Sequence, residues 1–87
     1  MKNNFTIGEF NGLPETGQFN IIWQHAFMMG KRTEGDYEIT LFSLFSFYVE
    51  LYYNLKVNFF KEIKAMPTIE NPEGYKQLPS FKSKLNV

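Results

Sequence analysis

From Tyr37 onward, apolar and polar residues alternate with a period of two. Tyr37, Ile39 and Leu41 are set against Glu38 and Thr40, the pattern of a half-buried strand. Residues 42–46 break the alternation and predict a bulge or a tight connection there. Phe47, Val49, Leu51 and Tyr53 then alternate with Tyr48, Glu50 and Tyr52. One face of this strand is apolar, and the other presents two phenols around a carboxylate. Residues 54–58 read as a hairpin turn, because Asn54 and Asn58 tolerate unusual backbone angles. Residues 59–64 then form the returning strand.

Upstream the pattern is less decided. Residues 5–10 alternate weakly and run into a stretch dense in turn formers, Asn11, Gly12, Pro14 and Gly17, which suits a short edge strand and a loop. Over residues 19–29 two templates compete. A helix capped by Thr16 places Phe19, Ile22, Trp23, Ala26 and Phe27 on one side. A strand alternates Ile21, Trp23, His25, Phe27 and Met29 against their neighbours. The Ile21-Ile22-Trp23 run and the hairpin-like residues 31–36 favour the strand. Pro67 ends the sheet. Asn71 as cap and Pro72 at the first position predict a short helix over residues 72–78, with Tyr75 and Leu78 packing against the sheet. Pro79 stops it.

These elements define an α+β, mainly β fold: a small antiparallel meander sheet of three to five strands with one short C-terminal helix. The 87 residues suit a single domain, with an N-terminal strand and loop over 1–17, the sheet over 18–66, and the helix and tail over 67–87. The apolar stretch at residues 39–49 falls well short of the roughly 20 residues that span a bilayer. No apolar run follows the first residues as a secretory signal would require, so a cytoplasmic protein without membrane association is expected.

Charge and composition narrow the function classes. Nine Lys+Arg balance nine Asp+Glu, which disfavours both a basic nucleic-acid binder and an acidic DNA mimic. With no Cys there is no disulfide framework, thiol nucleophile or Cys-based metal site. Phe, Tyr, Met, Ile, Asn and Lys together outnumber Gly, Ala, Arg and Pro about threefold, a codon bias that points to an AT-rich bacterial, phage or mobile-element genome.

Candidate chemistry is sparse. His25 is the only histidine, and an imidazole suits general acid–base work. It lies among apolar residues with no nucleophile or metal partner at a recognisable spacing, so a structural or surface role is favoured. A metal site would need His25 with Asp36, Glu38 or Glu50, and their spacing suggests no convergence. No metal and no cofactor is expected. A small ribonuclease could draw on His25, Arg32, Glu50 and a tyrosine, but one Arg and zero net charge offer little grip on a polyanion. Tyr48 and Tyr52 could stack single-stranded bases, as on RNA-binding sheets. Glu50 between them would repel phosphate. No glycine-rich phosphate loop is present.

The aromatic excess is the stronger signal. Ten Phe, five Tyr and one Trp make up 18% of the chain. Trp23, Phe27, Met28, Met29, Arg32, Tyr48, Tyr52 and Phe60 exceed what one sheet face can obviously bury. Such residues are enriched in interface cores. Either the terminal segments cover this surface or a partner does, and a homodimer would satisfy both. The expected binding residues are Trp23, Tyr48 and Tyr52 as exposed aromatics, with Arg32 and Glu50 as polar orienters. The expected function is non-enzymatic protein binding.

One resemblance bears on this. Trp23, then Gly35-Asp36-Tyr37-x-Ile39-x-Leu41-Phe42-Ser43-Leu44, then Phe47-Tyr48-Val49-Glu50-Leu51-Tyr52-Tyr53 and a later Asn58 resemble a pattern in small uncharacterised proteins of Bacteroidetes-type bacteria and their mobile elements. It covers less than half the chain and implies strands, with no catalytic residue. In size, neutrality and lack of Cys the chain is similar in type to anti-defence inhibitors, including anti-CRISPR proteins. That likeness implies a larger protein partner, such as an RNA-guided nuclease, inhibited by direct docking rather than by imitation of DNA.

Overall fold

The computed structural model describes residues 4–70 and 72–75. In chain order these form α1 (Ile7–Asn11), α2 (Glu15–His25), β1 (Phe27–Glu34), β2 (Tyr37–Leu44), β3 (Phe47–Asn54), β4 (Phe59–Met66) and a 3-10 turn (Pro72–Tyr75). The strands make one antiparallel sheet in the order β1-β2-β3-β4, the meander that the alternating pattern predicts. The α-helices are N-terminal, whereas the sequence placed its single helix at the C-terminus. The Pro72 segment forms only the four-residue 3-10 turn. Asn71, expected as its cap, and Leu78 lie outside the described residues.

Two N-terminal expectations are corrected. Residues 5–10 are not an edge strand, because Thr6 begins α1 with a capping box. Its hydroxyl accepts from the Glu9 amide at 3.1 Å, and its own amide donates to Glu9 Oε1 at 3.0 Å. Each bond satisfies a backbone donor. Phe10 is thereby aimed into the core and fully buried. Residues 19–29 are not one strand but helix through His25 and strand from Phe27, with Ala26 at ψ 151° as the switch. Strand propensity at Ile21 and Ile22 is overridden by packing, since Ile22 is buried against Leu44, Phe47 and Val49. Gln18 Nε2 fastens α2 to the end of α1 by donating to the Phe10 carbonyl at 3.0 Å.

The connections are short. Gly35-Asp36 joins β1 to β2, with Gly35 at φ +60°, a conformation that costs glycine nothing. The sequence had assigned residues 31–36 to this loop, but β1 continues to Glu34. Phe45-Ser46 joins β2 to β3, so the broken alternation there is a tight connection. Between β3 and β4 the Asn54 Oδ1 accepts from the amides of Lys56 and Val57 at 2.9 and 3.3 Å. Asn58 adopts φ 54°, the role its residue type suggested. The Leu55 amide also donates to the Asp36 carbonyl at 2.8 Å, tying two turns together at one end of the sheet.

Both faces of the sheet are partly covered, at different places. On one face α1 and α2 pack Phe10 and Ile22 over Leu44, Phe47 and Val49, flanked by Phe42, Ile63 and Ala65. On the other, Tyr75 packs on Met29 and Leu41, with Tyr48 and Ile69 alongside. Met29 is the extra residue of a bulge, since Met28 pairs with Phe42 and Gly30 with Leu41. No helix among the described residues is long and apolar enough to cross a membrane.

Candidate functional site

Two places combine unusual chemistry with defined geometry, one on each face of the sheet. The first is centred on Glu50, in the middle of β3 and opposite Leu41 on β2 and Lys64 on β4. Its carboxylate is buried, with 2% of the residue exposed. Charge at such a place is tolerated only when donors surround it. They do: Glu50 Oε2 accepts from Tyr75 Oη at 2.8 Å and from Arg32 Nη2 at 3.2 Å, while Oε1 accepts from Tyr52 Oη at 3.1 Å. Arg32 reaches over from β1 and also holds Glu34 Oε2 at 2.9 Å. Its guanidinium lies 5.4 Å from the Tyr75 ring centre. Arg32 Nε is buried without a hydrogen-bond partner among the described residues.

This setting makes Tyr52, Tyr75 and Arg32 hold their protons more firmly. Burial, then the neighbouring Glu50 charge, pushes the Tyr52 phenol above its usual range. Burial and the hydrogen bond to Glu50 do the same, more strongly, for Tyr75. Burial opposes the Arg32 charge, but interactions with Tyr75, Glu34 and Glu50 outweigh it, and the guanidinium holds its proton more firmly than an exposed one. The cluster is a clamp in which both oxygens of Glu50 are engaged by protein donors.

The structure thus unites Arg32, Glu50 and Tyr52, three of the five residues expected to bind a partner, but covers them. Glu50 is not an exposed orienter, and Arg32 keeps only 11% of its side chain in solvent. Tyr48 and Tyr52 are half-buried, Tyr48 beneath Tyr75 and Met29, rather than forming an open stacking platform. The cover comes from Tyr75, which the sequence marked for packing but not as a partner of Glu50. His25 stands apart at the end of α2, exposed, with its ring 5.2 Å from that of Phe45. No cluster of metal-ligating side chains occurs among the described residues.

The second place is on the helix-bearing face, where α2 leaves part of the sheet uncovered. Here Thr40 and Leu51 floor a groove of about 310 Å³ between Met28 on β1 and Phe60 on β4, with Phe42 and Tyr53 also lining it. Lys31 and Glu38 face each other at its turn end, Nζ to Oε1 3.6 Å. The Phe60 ring is held by Phe19 and Tyr53, each with ring centres 5.0 Å away. Trp23 lies one turn beyond Phe19 on the same side of α2, since residues four apart share a helix face. It is 90% exposed, while Met28 and Phe60 are 51% and 39% exposed. The helix beneath is anchored by Ile22, so the indole projects from a fixed support. Of the five residues expected at a binding surface, Trp23 is the one fully presented. The groove residues carried no motif, and only the apolar excess around Met28 and Phe60 hinted at them.

Comparison with protein-family models, with curated proteins and with solved structures finds no match to the chain.

Proposed function

We propose that the chain is a small non-enzymatic protein-binding module that docks through Trp23 and the adjoining groove. Inhibition of a larger host enzyme, such as an RNA-guided nuclease, is the form that the likeness to anti-defence proteins suggests. One observation carries the reading: a 90% exposed tryptophan on a packed helix, on the same sheet face as an apolar groove. Tryptophan is among the residues that most often dominate binding energy. An indole held on a rigid helix loses little freedom on docking. Covered tyrosines and a buried carboxylate on the opposite face favour docking over base stacking, and the zero net charge is poorly suited to phosphate.

The test is affinity capture from host lysate with the intact chain and with Trp23→Ser. The exposed loop variant Lys56→Ala serves as control. Capture of a partner by wild type and Lys56→Ala, with at least a tenfold loss in Trp23→Ser, is expected. Equal capture by all three, or retention of single-stranded RNA with a steep salt dependence instead, would refute the proposal.

A further inference from the structure

We propose that Asn11 is a site of spontaneous covalent modification, a deamidation that α1 holds shut while it is folded. Asn11 is the only asparagine followed by glycine. Asparagine is a thermolabile residue, and a following glycine, with no Cβ, leaves its backbone nitrogen unhindered for attack on the neighbouring side chain. In that reaction the Gly12 nitrogen gives up its proton and bonds to Cγ of Asn11. The Cγ–Nδ2 bond breaks, and Nδ2 takes up the proton and leaves as ammonia. Water then opens the five-membered imide at one of its two carbonyls, its hydroxyl going to carbon and its remaining proton to the Gly12 nitrogen. The product is an aspartyl or isoaspartyl residue, and nothing is oxidised or reduced.

The folded geometry opposes the first step. Both residues face solvent, so water has access, but the attacking atom is engaged. The Gly12 amide donates to the carbonyls of Gly8 at 3.1 Å and Glu9 at 3.2 Å, and losing its proton forfeits the bonds that close α1. Ring closure also brings the Gly12 nitrogen into line with Cβ about the Cα–C bond. Asn11 is the last residue of α1, and a helical ψ of about −42° holds those two atoms apart. The Leu13 amide and Gln18 Nε2 both donate to the Phe10 carbonyl, at 3.1 and 3.0 Å, bracing the same turn, while the Phe10 ring is fully buried. Reaction therefore waits for α1 to open.

The fold does not require the glycine. Gly12 lies at φ −79° and ψ −10°, a negative φ that any L-residue adopts. A methyl group there would meet the Glu9 and Gly8 carbonyl oxygens at 3.5 Å, an ordinary contact. The reactive pair is thus concealed by α1 rather than demanded by it. Its conversion also runs one way. A new carboxylate at the C-terminal end of α1, two residues after Glu9, meets carbonyl dipoles of its own sign, and the isoaspartyl form lengthens the main chain beside Phe10. A modified chain reopens α1 more readily than an intact one.

The test holds wild type, Thr6→Ala and Gly12→Ala in mildly alkaline buffer, with and without denaturing urea, and follows each asparagine by peptide mapping and mass spectrometry. Wild type should convert at Asn11 at least about tenfold faster in urea than when folded. Folded Thr6→Ala, which lacks the hydroxyl that begins α1, should convert about fivefold faster than folded wild type, yet at the wild-type rate in urea. Gly12→Ala in urea should convert at least about tenfold more slowly than wild type in urea. Circular dichroism checks that both variants are folded in buffer, and the wild-type comparison needs no variant. Equal rates in folded and unfolded wild type overturn the inference, as does conversion confined to other asparagines or a folded Thr6→Ala that converts no faster than wild type.

Discussion

Replacing Glu50 by Leu removes the acceptor on which three side chains converge. Leucine is close to glutamate in size and sits opposite Leu41, so the cost arises from the stranded donors. Removing one partner of a buried ion pair costs roughly 3–5 kcal/mol. Arg32 keeps Glu34 at 2.9 Å and a little solvent, which places the expected loss near the lower end, about 3 kcal/mol. A chain of 87 residues has a total stability of about 4–13 kcal/mol, so the midpoint of thermal unfolding should fall by about 12–24 °C. Adding Arg32→Met should recover most of this, because an apolar set of similar volume replaces a buried ion pair at little net cost. Tyr75→Phe closes the cycle. In the wild type it removes a hydrogen bond to a charged group, worth about 1.5–3 kcal/mol. In the Glu50→Leu, Arg32→Met background it should cost less than about 0.5 kcal/mol. Urea unfolding followed by far-ultraviolet circular dichroism measures the wild type and the four variants. A loss below about 1 kcal/mol for Glu50→Leu, or the same Tyr75→Phe cost in both backgrounds, would refute the clamp.

Three further outcomes are expected. Thr6→Ala should destabilise by about 1 kcal/mol through loss of the capping box, read in the same urea series, while Thr6→Ser should be nearly silent. Gly35→Ala should cost about 1 kcal/mol from the left-handed backbone alone, because a methyl group there meets nothing within 4 Å; a much larger loss in thermal unfolding would contradict that open space. The third concerns alkaline pH. Tyr52 and Tyr75 have folded pKa values above the unfolded value of about 10. Their contribution is therefore complete below that pH and declines as pH rises through it, when the unfolded chain releases protons that the folded chain retains. Phenolate absorbance should show two of the five tyrosines ionising late, and stability should fall above about pH 10, with a shallower fall in Tyr75→Phe.

The β2–β3 hairpin was legible because alternation survives wherever one side of a strand is covered and the other is not. It fixed which residues share a face, and Tyr48, Glu50 and Tyr52 do lie together. What alternation cannot convey is which segment covers a face. Tyr75 lies 25 positions from Glu50, and a polar row reads as solvated until its cover is known. Ile21, Ile22 and Trp23 misled because β-propensity is local, whereas the burial of Ile22 depends on Leu44, Phe47 and Val49 much further along the chain. The α1 start was present in the sequence: Thr6 and Glu9 have capping-box spacing, a signal stronger than the weak alternation around them. Trp23 was singled out by its residue type, and the groove beside it exists only once α2 has been laid across part of the sheet.

The connection between Tyr75 and Glu50 also orders assembly in time. Every strand pairs with its sequence neighbour, so the sheet can zip up hairpin by hairpin with little loop-closure entropy. Arg32 and Glu50 come together in that process, but Tyr75 follows β4 and is made after all four strands. Until it docks, the Glu50 carboxylate stays within reach of water, and Met29 and Leu41 on the same face lack their cover. The face around the Arg32–Glu50 ion pair is thus sealed only when the 3-10 turn that follows β4 arrives.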